Sequence, residues 1–95
     1  MLDIENNAKK ALLTFAVEKV LLKMGKPEYE LVLNKLENDY SSYISDCHEN
    51  PEFLKRVLQY IYGNSYDDII KEIEKELGGF IFQNYYRNFL QALLR

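Results

Sequence analysis

Residues 65–79 read SYDDIIKEIEKELGG. Tyr66, Ile69, Ile70, Ile73 and Leu77 recur at helical spacing, while Asp67, Lys71, Glu72, Glu74, Lys75 and Glu76 fall on the opposite side. An apolar stripe of this kind faces a core, and the charged side faces water. Ser65 with Asp68 resembles a capping box at the start, although Asp is shorter than the preferred Glu or Gln. Gly78-Gly79 marks the end of the helix or a kink. Asp67 and Lys71 are spaced for a favourable i,i+4 pair.

Upstream, the same punctuation repeats. Gly63 ends a helix that opens at Asn50-Pro51, with Asn as N-cap, Pro in the first turn, and Phe53, Val57, Leu58 and Ile61 along its buried side. From Ser41 to Asn50 the periodicity fades into polar residues, which predicts a loop or short irregular turn. Before it, Tyr29, Leu33, Leu36 and Tyr40 define one face of a helix with Pro27 in its first turn. The first helix is expected from Asp3, a candidate N-cap, to Met24, stopping at Gly25. Leu13, Val17, Val20 and Met24 form its stripe, widened by Ala8, Leu12, Phe15, Leu21 and Leu22, which predicts a central helix with few wet faces.

Downstream of Gly79, a fifth helix is expected from Phe80 to Leu94. Phe82, Tyr85, Tyr86, Phe89, Leu90 and Leu93 cover more than one of its faces. Every prediction is therefore of an all-α chain, a compact bundle of four to five short helices forming a single helical domain over residues 1–95. The 95-residue length allows one core and buries only about 60 to 65% of the unfolded surface.

The block NPEFLKRVLQYIYGNSYDDIIKEIEKELGG, residues 50–79, resembles a small archaeal family, the fifth class of Nitrosopumilus output domains. The likeness rests on Pro51 two residues before Phe53, on Leu54, Leu58 and Ile61 leading to Tyr62-Gly63, and on Ile69, Ile70, Ile73 and Leu77. Leu36, Tyr40 and Asp46 extend it upstream, so that it covers residues 33–79. These are core-packing and helix-end positions. The resemblance implies a helical module, alone or attached to signalling proteins as an output domain, and brings no catalytic residue with it. The aromatic segment after Gly79 departs from the family's usual end.

Composition narrows the function. No apolar run approaches the about 20 residues of a membrane span, and Met1 to Lys10 does not read as a secretory signal. The single cysteine, Cys47, cannot form an internal disulfide, so a cytoplasmic setting is expected. Net charge is −3. Ten of the acidic residues lie between Glu37 and Gly78 against four basic ones, whereas Gly79 to Arg95 carries only Arg87 and Arg95.

Cys47-His48, flanked by Asp46 and Glu49, is the one cluster with metal-ligand or nucleophile chemistry. It lacks zinc spacing, and adjacent residues converge poorly on one metal, so ordinary loop residues are expected there rather than a metal or small-ligand sensor. The carboxylates of residues 67–76 follow a wet helix face rather than a cleft suited to acid and base catalysis. No phosphate-loop or dinucleotide pattern surrounds the glycines, and no cofactor is expected.

The two helices joined at Gly63-Asn64 could imitate a helix-turn-helix, but five acidic and two basic residues in the second one oppose phosphate binding. An αα-hairpin packed into the core is the preferred reading.

The C-terminal aromatics are the strongest functional feature. Phe82, Tyr85, Tyr86, Arg87, Phe89 and Leu93 combine residue types enriched at interface cores, and they predict a homodimer seam or, alternatively, closure of the chain's own core. The expected function is a non-enzymatic protein-interaction or signalling output module that self-associates through this helix. The acidic face around residues 67–76 would steer basic partners. The alternative is a dimeric nucleic-acid-associated transcriptional regulator, retained on heparin at low salt.

Overall fold

The computed structural model describes residues 4–95, and the fold follows from where the chain is forced out of helix. At Gly25, φ is +143°, a backbone conformation that residues with a side chain rarely adopt. This position suits only glycine. It separates α1 (Ile4–Met24) from α2 (Lys26–Tyr40), which carries Pro27 in its first turn. Asp3, the expected N-cap of α1, lies outside the described residues. At its other end α2 closes on Ser41 at φ +50°, whose N–H donates to the Glu37 carbonyl.

A 3-10 turn at Ile44–Asp46 leads to α3 (Pro51–Tyr62), and a second one at Gly63–Ser65 leads directly into α4 (Tyr66–Leu77). A third, Gly78–Phe82, precedes α5 (Asn84–Leu94). Among the described residues there is no strand. The fold is all-α, with five α-helices among the described residues.

Several local expectations change. Asn50 and Ser65 sit at the helix starts, but neither side chain makes a capping hydrogen bond. Ser65 already has helical backbone angles, φ −86° and ψ 0°, because the 3-10 turn carries the chain from α3 into α4 without the extended residue a capping box needs. The fifth helix begins at Asn84 rather than Phe80. Gly78 breaks α4 at φ +54°, the chain turns through Phe82, and Gln83 is extended before its carbonyl accepts the first bond from the Arg87 N–H.

Packing gathers the buried residues into one cluster. α1 lies against α2, α4 and the turn at Ile44; α3 contacts α2, α4 and α5; α5 rests on α3 and α4. All five apolar residues of the stripe quoted above, Tyr66, Ile69, Ile70, Ile73 and Leu77, are buried. The radius of gyration, 12.6 Å, equals what about 95 residues occupy in one compact body.

α1 is less enclosed than its composition suggests. Leu13, Ala16, Val17, Val20 and Leu21 are buried, but Phe15, Leu22 and Met24 are exposed. At about 100° per residue, Phe15 and Leu22 project from the side opposite the buried stripe. Among the described residues no other helix covers that side, so α1 is apolar on two faces and packed on one.

The end of α5 is tied down by side chains. The Tyr66 hydroxyl donates to the Leu93 carbonyl at 2.6 Å in the buried interior, and Lys55 donates to the carbonyl of Arg95. The last carbonyls of a helix have no partner within it, so Tyr66 meets a need that α5 cannot meet itself. Tyr66→Phe is expected to cost about 1–2 kcal/mol, read as a lower urea midpoint at unchanged slope. An unchanged midpoint would mean that water serves the Leu93 carbonyl equally well.

Candidate interaction surface

The acidic residues of α4 are divided by helix geometry. Glu76 pairs with Lys19 at 2.8 Å and Glu72 with Lys23 at 3.4 Å, both lysines coming from α1. Lys75 adds a contact to Glu72 at 3.7 Å. Among the described residues no ion pair joins Asp67 to Lys71; Asp67 and Asp68 instead occupy the first turn of α4, where negative charge meets the positive end of the helix dipole. Part of the acidic face is thus matched within the chain. Glu74 lies about 200° round the helix from Glu72, on the side nearer α5.

The six candidate interface residues part company in the same way. Tyr86, Phe89 and Leu93 are 2%, 1% and 1% exposed and belong to the chain's own core, which corrects their assignment to a seam between copies. They share a stripe with Leu90, and this stripe is the one α5 turns toward α3 and α4. Tyr85 is half-buried. Phe82, at 74% exposure, and Arg87 face outward.

Leu94, at 59% exposure, joins them, since Arg87, Gln91 and Leu94 follow one side of α5 at spacings of four and three. These residues, with Glu74, Ile81 and Leu90, line a groove of about 450 Å³. The Arg87 guanidinium donates through Nη2 to the Phe82 carbonyl at 2.6 Å, fastening the 3-10 turn to α5 and holding the Phe82 region at the groove.

Three other surfaces carry concave shape, one of them a groove of about 300 Å³ on α1 lined by Phe15, Glu18, Lys19 and Leu22. The polar cleft of about 330 Å³ beside the Cys47-His48 loop is lined by Asn6, Asn7, Lys10, His48, Glu49 and Tyr85. Lys10 there lies 3.7 Å from Asp46 and 3.8 Å from Glu49, so its charge is answered locally. His48 packs from its turn onto the start of α5. Its ring stacks on Tyr85 at 3.7 Å with an interplanar angle of 1°, and its Nε2 lies 3.1 Å from the Tyr85 carbonyl, which fixes Nε2 as an N–H donor.

A groove of about 280 Å³ between α2 and α3 has Lys35 over the Tyr60 ring at 4.3 Å and paired with Asp39 at 2.7 Å. Its charges are also matched from within. Among the described residues no group of three His, Cys, Asp or Glu side chains could hold a metal ion.

No known family, curated protein or solved structure matches this chain. Among the described residues no helix is long and apolar enough to cross a membrane.

Cys47 is enclosed rather than poised. Burial pushes its thiol up from an ordinary 9.0 to about 12, with Glu49 adding to the shift. A neutral, buried thiol is a poor nucleophile. Burial likewise raises Tyr66 to about 12, with Asp67 contributing.

The sign of the resulting pH dependence is fixed. Both groups stay protonated in the folded chain where the unfolded chain has lost the proton, so the native state binds more protons and stability falls as pH rises. Their contribution is complete below about pH 9 and is lost progressively toward pH 12. Urea unfolding at pH 8 and pH 10.5 is expected to show a lower midpoint at the higher pH, and at pH 8 Cys47 is expected to react with a thiol reagent only after unfolding. Fast labelling of the native chain would contradict the enclosure.

Proposed function

We propose that this chain is a non-enzymatic interaction module of the regulatory or output type, and that it self-associates through the groove between the Gly78–Phe82 turn and α5. The observation that carries the proposal is the outward placement of Phe82 and Leu94 on one groove, with Tyr86, Phe89 and Leu93 already consumed by the core. An aromatic side chain held in water at the mouth of an apolar groove loses nothing in the fold by leaving water, and gains on binding.

The size of the gain sets the strength. Burial of a Phe or Leu side chain contributes about 1.5–3 kcal/mol, and association costs about 4–15 kcal/mol in lost freedom. Only a few such side chains are offered per copy, so the association is weak and concentration-dependent. Recognition is the whole mechanism. The likeness to output domains agrees with a module of this kind.

Light scattering behind size-exclusion chromatography, loaded from about 1 μM to about 1 mM, tests the proposal. The mass is expected to rise from 11.3 kDa toward twice that value. A constant 11.3 kDa throughout would overturn it.

A further inference from the structure

The groove carries its own instruction about how a second copy sits on it. Its apolar surface is provided by Ile81, Phe82, Leu90 and Leu94, and it has one cation and one anion, Arg87 and Glu74. Among the described residues these two form no ion pair with each other or with another side chain. Glu72 and Glu76 are turned to α1 and its lysines, whereas Glu74, two residues from each, is left at the groove. Arg87 uses Nη2 on the Phe82 carbonyl, and a guanidinium has four further N–H donors.

A two-fold interface brings residue i of one copy against residue j of the other, and j against i. A groove bearing one charge of each sign beside an apolar surface meets that condition with itself. A strongly basic or acidic partner would be matched by a groove of a single sign, which this is not.

Resting on the self-association proposed above, we infer that the second copy docks by a two-fold axis through the groove, with Arg87 of each copy against Glu74 of the other. The apolar residues supply the binding free energy, and the two equivalent charge pairs set the register. Phe82 and Leu94 are then enclosed between the pairs.

Charge reversal tests this by comparing each homodimer with the mixture: the bond to the Phe82 carbonyl that Arg87→Glu gives up is lost in both copies of its homodimer and in one copy of the mixed dimer. In Arg87→Glu homodimers two carboxylates meet at both rims, and in Glu74→Arg homodimers two cations do. Each variant alone is expected to dissociate at about tenfold or higher concentration than the natural chain. Mixed in equal amounts they form a heterodimer in which both rims regain opposite charges, expected to bind within about threefold of the natural affinity.

Native mass spectrometry separates the heterodimer from the two homodimers by mass. Circular dichroism reports whether each variant keeps its helices. A second readout uses Glu74→Cys and Arg87→Cys, which on oxidative mixing should link position 74 to position 87 faster than either links to itself. A mixture no tighter than its components, with 74–87 linkage no faster than the others, would overturn the two-fold register while leaving self-association standing. A natural chain that remains monomeric to about 1 mM would overturn both.

Discussion

Phe89→Ala is expected to lower folding stability by about 3–5 kcal/mol, the range for removing a buried aromatic ring and leaving a cavity. Phe89 is 1% exposed on the stripe that α5 presses against α3 and α4, beside Tyr86 and Leu93. The last turn of α5 is held by Tyr66 and Lys55, which opposes its closing on the vacated space. A small domain has about 5–15 kcal/mol of stability in total, so the substitution takes a large share. Urea unfolding followed by circular dichroism should show it, at a protein concentration low enough that association does not add to the stability of the folded form. A loss below about 1 kcal/mol would mean that α5 is an appendage rather than part of the core.

Phe82→Asp is expected to have the opposite profile. The ring is 74% exposed, so its removal should leave the unfolding midpoint within about 0.5 kcal/mol of the natural chain. Its effect should fall on association, where a central aromatic anchor replaced by a charge raises the dissociation constant by about 100-fold, equivalent to about 2.7 kcal/mol. Sedimentation velocity over a concentration series measures this. Equal dissociation constants for the two chains would remove Phe82 from the interface. The pair of substitutions, seven residues apart, separates the two tasks of the C-terminal segment.

The sequence announces the helices because their ends depend on backbone chemistry that few residues supply. Gly25, Gly63 and Gly78 all take positive φ at helix ends, and Pro27 and Pro51 occupy first turns. The stripe of α4 was legible in full, since an amphipathic helix with charges on one side has only one way to face a core.

What was not legible depends on neighbours. Phe15 and Leu22 count as apolar wherever they stand, but only packing decides that α1 is covered on one side. Ser41 adopts a left-handed conformation that no residue preference signalled. The capping pattern of Ser65 and Asp68 was overridden by a continuous path from α3 through a 3-10 turn.

The candidate surface was legible by segment and not by side. Six residues between Phe82 and Leu93 were grouped because all were aromatic, cationic or apolar, yet Gly78 and Gln83 set the turn that places Phe82 outward and Tyr86 inward. Leu94 and Glu74 complete the groove and carried no sequence signal, one being an ordinary leucine and the other one carboxylate among many. His48 could not be tied to Tyr85, 37 residues later, by spacing alone.

The most direct test of the division between core and surface is a dilution series of amide nitrogen and proton NMR spectra on the natural chain. The expected result is concentration-dependent shifts at Glu74, Ile81, Phe82, Arg87, Gln91 and Leu94, with Phe15 and Leu22 unmoved. Shifts centred on Phe15 and Leu22, or none at any concentration, would contradict it.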